Sequence, residues 1–339
     1  MSDEDEFAVP ERCEFSDNPI EHTRVSGSMT VDALVREYAH AGFGAPAVTE
    51  AVDILTEMMG EDEVSVFMGL AGAMVPGGMR ELVADLIRDG YIDVLVTTGA
   101  NLTHDTIEAI GGHHHHGRDH QPDQSQRDHD EQLREEWVDR IHNVYLPQEH
   151  FTALESHLRA EVFPDIDEQI SIRAFVTALG KANARINADR EIEASAGIAA
   201  AAAANDVPIY CPAIQDSILG LQAWMYGQTR DFGLDALGDM SELNDIAHDA
   251  ESCGAFVVGG GVPKNFVLQA LLVTPHAYEY GVQLTMDPPE TGGLTGATLD
   301  EARSWGKFEP TARNASVYAD ATITLPLVVA ATRERLETS

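Results

Sequence analysis

Apolar positions along the chain follow two alternating rhythms. Val31, Leu34, Val35 and Tyr38 recur at helical spacing with Thr30 or Ser28 available as a cap, which predicts an amphipathic helix, and a second is expected over about 47–59. A different pattern then sets in. Runs rich in β-branched and apolar residues at 64–68 and 93–97 predict strands, each leading through a glycine-bearing turn (69–78 and 98–101) into a helical stretch (79–88 and 103–110). Farther along, helices are expected at 132–142 and 148–160, an alanine-rich helix at 192–204, a helix from about Asn265 and a closing helix at 327–336. Strands are expected at 207–214, 255–258, 280–286 and 316–325. Alternation of this kind implies an α/β fold with a Rossmann-like, doubly wound, mostly parallel sheet. No repeat or long linker divides the chain, so residues 29–339 are expected to form a single large domain behind an acidic N-terminal arm, 1–28, that contains Pro10 and Pro19.

One stretch interrupts the rhythm. Residues 111–132 carry six histidines, four of them consecutive from His113 to His116, among many Asp, Gln and Arg residues, and read as an inserted surface loop. Adjacent histidines lack the fixed geometry of a dedicated metal site, so adventitious affinity and no resident metal are expected.

Charge narrows the function classes. Acidic residues outnumber basic ones 57 to 21, a net charge of −36, while 44% of residues are hydrophobic, so the charge belongs to a folded surface rather than a disordered chain. Such a surface repels phosphate backbones and anionic headgroups, which argues against nucleic acid and membrane as partners. Only Lys181, Lys264 and Lys307 are lysines; the other 18 basic residues are arginines. This composition resembles the proteins of halophilic archaea, in which molar salt screens self-repulsion; an acidic mesophilic protein is the alternative. Each surviving lysine becomes a candidate for amine chemistry. Cys13, Cys211 and Cys253 have no metal or redox spacing, the acidic start is unlike a signal peptide, and the alanine run at 199–204 is too short to span a bilayer. A cytoplasmic setting is expected.

Two kinds of feature suggest chemistry. The turns Gly69-Leu70-Ala71-Gly72-Ala73, Thr97-Thr98-Gly99-Ala100 and Gly259-Gly260-Gly261 follow expected strands, where backbone amides approach a dinucleotide's phosphates; none matches the strict Gly-x-Gly-x-x-Gly pattern, so tight turns alone also account for them. Lys307 follows Trp305 and Gly306. A lysine desolvated beside an indole has a lowered amine pKa and suits imine formation, although a lysine lying along a packed tryptophan gives the same pattern.

Glu301 and Ser304-Trp305-Gly306-Lys307 together resemble the active-site segment of the deoxyhypusine synthase family. The resemblance continues through Leu179-Gly180-Lys181, Pro212-Ala213-Ile214-Gln215-Asp216, Gly259-Gly260-Gly261-Val262 and Val317-Tyr318-Ala319-Asp320-Ala321, and covers most of residues 25–335. It implies a homotetrameric NAD-dependent transferase. In the family reaction the cofactor takes a hydride from spermidine, a lysine captures the aminobutyl group as an imine, and the group passes to one lysine of the hypusine-bearing translation initiation factor. By position, Lys307 matches the nucleophile and Trp305 the wall of the amine tunnel, with Glu301, His104 and Asn265 at further amine-binding positions. Gly72, Ala73, Met74, Thr98, Gly99, Asp216, Gly260, Asp320 and Ala321 match NAD-contacting positions, and Lys181 is expected in a structural ion pair.

The departures from the family pattern fall on the amine. Leu221 and Leu294 replace acids that hold the polyamine's ammonium groups, His104 replaces a glutamate and Asn265 a histidine. Spermidine or agmatine is therefore the expected donor. Two other readings stay open: a small-molecule aminobutyl transferase resembling homospermidine synthase, and a catalytically silent NAD-binding regulator, against which the intact Trp305-Gly306-Lys307 speaks.

Overall fold

A computed structural model describes residues 19–118, 124–166 and 168–338. Six strands form one parallel sheet: β1 (Val64–Leu70), β2 (Val94–Thr97), β3 (Ile209–Tyr210), β4 (Ser252–Val258), β5 (Tyr278–Thr285) and β6 (Phe308–Tyr318), in the spatial order β6-β5-β4-β1-β2-β3. The chain winds outward from β1 to β3, returns to the centre, and winds outward again from β4 to β6. That is the doubly wound topology expected, and it creates a switch point between β1 and β4.

Both faces of the sheet are covered, which is why its central strands are continuous apolar runs. Val66, Met68 and Leu70 point into a core shared with Ile54 and Leu55 of the helix Ala45–Gly60. The alternate residue Phe67 points the other way, into a core with Val267 and Leu268 of the helix Gly261–Gln269. Thr30 caps the helix Val31–Tyr38 by accepting from Ala33 N, and Arg335 of the last helix binds Asp32 and Asp53, tying that helix to Val31–Tyr38 and Ala45–Gly60. Among the described residues no helix is long and apolar enough to cross a membrane.

Several elements differ from the sequence expectation, each for a local reason. A capping box between Ser125 and Asp128 starts a helix at Gln126–Glu135, earlier than expected. Trp137, at φ 59°, ends it, and Val138–Ile141 then pairs with Val144–Pro147 as a hairpin whose edge is His115–His116. Much of the stretch read as a loop is therefore regular structure. The alanine-rich helix begins only at Ile198, after Gly197 at φ 88°, where the Asp105 carboxylate accepts from Ile198 N and Ala199 N at 2.9 Å each. β6 stops at Tyr318 because Asp320 Oδ1 accepts from Thr322 N and Oγ1 at 2.7 Å and opens the helix Ala321–Thr338.

Candidate functional site

At the switch point the ends of β1 and β4 are locked by a hydrogen bond from Ala71 N to Val258 O at 2.9 Å. Beyond them lies a cleft of about 410 Å³. Its floor is the turn Ala71–Met74 with Gly72 at φ 78°, and its far wall is Ala319–Thr322. Hydrogen bonds from the Thr322 hydroxyl and amide hold the Asp320 carboxylate below the usual range, so it is a ready acceptor at neutral pH. A crevice at the carboxyl edge, a floor without side chains at Gly72 and an acceptor at a strand end fit a dinucleotide's phosphates and ribose hydroxyls.

The expected NAD positions divide. Gly72, Ala73, Met74, Asp320 and Ala321 line this cleft. Thr98 instead caps the helix Gly99–Ala109 by accepting from Asn101 N at 3.3 Å, and a Cβ on Gly99 would lie 2.5 Å from Ser217 Cβ, so close packing already requires that glycine. Asp216 is exposed on the turn after β3. Gly260 does not line the cleft but packs against the loop at Thr295, where a Cβ on it would fall 2.6 Å from Thr295 Cα. The hairpin tip His142–Asn143 also borders the nucleotide-sized cleft, which no local signal in the sequence announced.

The second cleft, about 290 Å³, surrounds Lys307. Thr298 caps the short helix Leu299–Arg303, and Gly306, at φ 71°, turns the chain so that Lys307 O accepts from Tyr278 N at 3.0 Å at the start of β6. The backbone is thus fixed while the side chain reaches across the cleft. Lys307 Nζ donates to Asn265 Oδ1 at 3.3 Å, and partial burial holds its pKa below the usual lysine value. Trp305, Glu301 and Leu294 line the same space, and Trp305 is 67% exposed at its rim. Lys307, Trp305, Glu301 and Asn265 are therefore brought together as expected.

Other expected positions lie elsewhere. His104 Nδ1 pairs with His114 Nε2 at 2.9 Å, and burial together with the neighbouring His114 lowers the pKa of His104 to about 4. His114 in turn meets Glu108 at 2.6 Å, so part of the histidine run is folded inward. Among the described residues no three His, Cys, Asp or Glu side chains are grouped for a metal ion. Leu221 is exposed on the helix Ile218–Gly227, away from the Lys307 cleft. The ion pair expected for Lys181 is absent among the described residues, because its side chain points to solvent from the helix Ile172–Asp189.

Lys264 is the residue that the sequence reading left without a role. It lines the Lys307 cleft, yet only 1% of it is exposed. Its Nζ donates to Gln283 Oε1 at 2.9 Å, to Leu294 O and Thr295 O at 3.3 Å each, and to Ala297 O.

Comparison with known proteins agrees with this arrangement. The family model described as deoxyhypusine synthase matches residues 33–332. The chain belongs to the deoxyhypusine synthase family. A "Probable deoxyhypusine synthase" of Methanosarcina thermophila is 52% identical over 94% of this chain and 95% of its own length. One from Methanothermobacter thermautotrophicus is 39% identical over 92% and 96%. A crystal structure assigned to a deoxyhypusine synthase of Entamoeba histolytica shares the fold, with a TM-score of 0.58, 16% identity, and coverage of 91% of this chain and 94% of that one. Membership makes this deoxyhypusine synthase homologue a transferase, of a family that moves aminobutyl groups in hypusine biosynthesis.

Proposed function

We propose that this protein transfers an aminobutyl-type group from a polyamine, through a covalent imine on Lys307, to a lysine of the hypusine-bearing translation initiation factor, with NAD as cofactor. The observation that carries the reading is the contrast between two lysines in one cleft. Four oxygen acceptors engage Lys264, whereas the Lys307 amine has one long bond to a neutral side chain and is partly desolvated. Imine formation needs a reachable amine with a free lone pair: burial lowers the pKa of Lys264 to about 8, but its Nζ is enclosed by four acceptors, so Lys307 is the lysine suited to react.

In the edge cleft, Gly72, Ala73 and Met74 would hold the cofactor's phosphates and Asp320 a ribose; when bound, NAD supplies the hydride acceptor and donor. Lys307 would attack the donor carbon that has lost hydride; the bond from that carbon to the donor's nitrogen then breaks, an amine leaves (1,3-diaminopropane in the case of spermidine), and the lysine carries the four-carbon group until the acceptor lysine displaces it. Glu301 attracts the donor's cationic end, Trp305 walls the space from water, and Asn265 orients the Lys307 amine.

Leu294 favours one donor over another. A buried ammonium without a counter-charge costs several kcal/mol by order of magnitude, and a guanidinium is easier to desolvate. We therefore read agmatine as a donor at least as good as spermidine, giving deoxyhypusine or a precursor of it. Exposed apolar side chains around both clefts, Val262, Leu294, Trp305, Met286, Tyr318 and Ile323, support a homotetramer in which other copies cover them. The composition supports a halophile's cytoplasm as the setting.

The test incubates enzyme, NAD, each amine and purified factor in molar KCl, with borohydride trapping. Labelled adduct on Lys307 is expected, and Lys307→Arg, which keeps charge but cannot present a free amine, should abolish it with NAD binding intact. Transfer to a free amine but not to the factor would favour the homospermidine synthase-like alternative; absence of any adduct would sink the enzymatic reading.

A further inference from the structure

The two clefts share no lining residue, yet one buried polar group joins them. Gln283, on β5, is 1% exposed. Its Nε2 donates to Gly259 O at 2.8 Å, on the turn that lines the nucleotide-sized cleft, and to Thr295 O at 2.9 Å, beside the cleft of Lys307. Its Oε1 accepts from Lys264, whose two remaining protons are shared among the carbonyls of Leu294, Thr295 and Ala297. Gly261 N donates to Thr295 Oγ1 at 3.1 Å, a third tie between the glycine turn and the same loop.

Residues 286–294 are exposed throughout, so the loop leading to Thr295 is held from within by this network rather than by a hydrophobic core. Leu294 and Ala297, whose carbonyls Lys264 binds, are themselves walls of the Lys307 cleft. A fully satisfied buried network is stiff, and its members depend on one another. Ordering one end therefore lowers the cost of ordering the other, which is how two sites become coupled without direct contact.

We propose that Lys264, Gln283 and Thr295 are positioning residues that form a strut between the glycine turn and the Leu294–Ala297 wall, so that a dinucleotide in one cleft and a cationic amine in the other bind cooperatively. The inference rests on the reading of the edge cleft as the NAD site and the Lys307 cleft as the amine site. Lys264 is present for its three-pronged ammonium, not as a second nucleophile. Its burial lowers its pKa to about 8, opposed by Glu301, so it remains an ammonium at neutral pH.

Calorimetry on the intact protein in molar KCl measures agmatine and spermidine affinity without NAD and at saturating NAD. In wild type, NAD should tighten the better amine at least about fivefold, the low end of typical coupling. Lys264→Met should reduce that ratio below about twofold, and so should Thr295→Val, which removes only the tie to Gly261 N and keeps the fold if the larger change does not. A purely structural role would lower the melting temperature and both affinities but leave their ratio intact. The inference is overturned if wild type shows no cooperativity, or if the ratio survives in a folded variant. Failure of wild type to bind NAD or any amine would instead refute the functional reading on which it stands.

Discussion

Glu301→Gln separates amine recognition from chemistry. Glu301 is the acid lining the Lys307 cleft, and its side chain is exposed, so its attraction for a donor ammonium is screened by water. A charge-assisted contact in that setting contributes about 1 to 1.5 kcal/mol, which converts to a rise in the donor's KM of roughly five- to twelvefold. Lys307 should be little affected, because burial alone lowers its pKa and the lysine that Glu301 holds toward the ammonium form is Lys264. Adduct formation at saturating donor should then be undiminished, and the pH of its onset should not rise. Single-turnover trapping with borohydride, across donor concentration and from pH 6 to 10, reads both effects. A collapse of kcat with unchanged KM would refute this account and make Glu301 a proton-transfer group. No change in either constant would show that the cleft does not receive the amine.

Three further outcomes are expected. Melting temperature should rise from dilute to molar KCl, since screening relieves repulsion in a chain of net charge −36; a flat or falling curve in calorimetry counts against salt adaptation. Asp105→Ala should destabilise by about 2–3 kcal/mol, seen as a fall in melting temperature of about 3 °C or more, because it removes a buried carboxylate that pairs with half-buried Arg80 and uncaps the helix at Ile198; a shift under about 1 °C would show that the site relaxes. Mixing Lys307→Arg protein with Asp320→Ala protein, each inactive alone, should restore part of the activity through mixed oligomers, and failure to do so would place both halves of the site in one chain.

The elements that the sequence revealed are those whose burial is two-sided. β1, β2 and β4 lie inside a parallel sheet covered on both faces, so they stand out as largely apolar stretches without reference to distant partners. The helix Ile172–Asp189, which is not among the elements expected from the sequence, carries Gly180 in its middle. In the fold, a Cβ at Gly180 would lie 2.2 Å from Ala199 O, so the glycine is there to let the alanine-rich helix approach. Lys307, Trp305 and Glu301 were legible because they lie within seven residues of one another. Lys264 was not, since its acceptors come from Gln283 and from carbonyls about 30 residues away. His104 likewise shows a helix face in sequence, whereas its partner His114 belongs to a stretch that read as loop.

The position of Lys307 carries a consequence for assembly. Lys307 precedes the first residue of β6, while the nucleotide-sized cleft lies past the last, and β5, which runs alongside from Tyr278 to Thr285, has eight residues. At about 3.3 Å per residue the backbone of Lys307 is roughly 25 Å from the carboxyl edge, although its side chain runs back to Asn265 on the helix that opens at that edge. A hydride carrier and a covalent lysine must come within contact of the same carbon. Within one chain that requires the cofactor to extend along the protein from the edge toward Lys307; between chains it requires only that the edge of one copy face the Lys307 cleft of another. The exposed Met286, Tyr318 and Ile323 near the first cleft and Val262, Leu294 and Trp305 near the second are the surfaces such a pairing would bury, so recovery of activity in mixed oligomers is the outcome that separates the two arrangements.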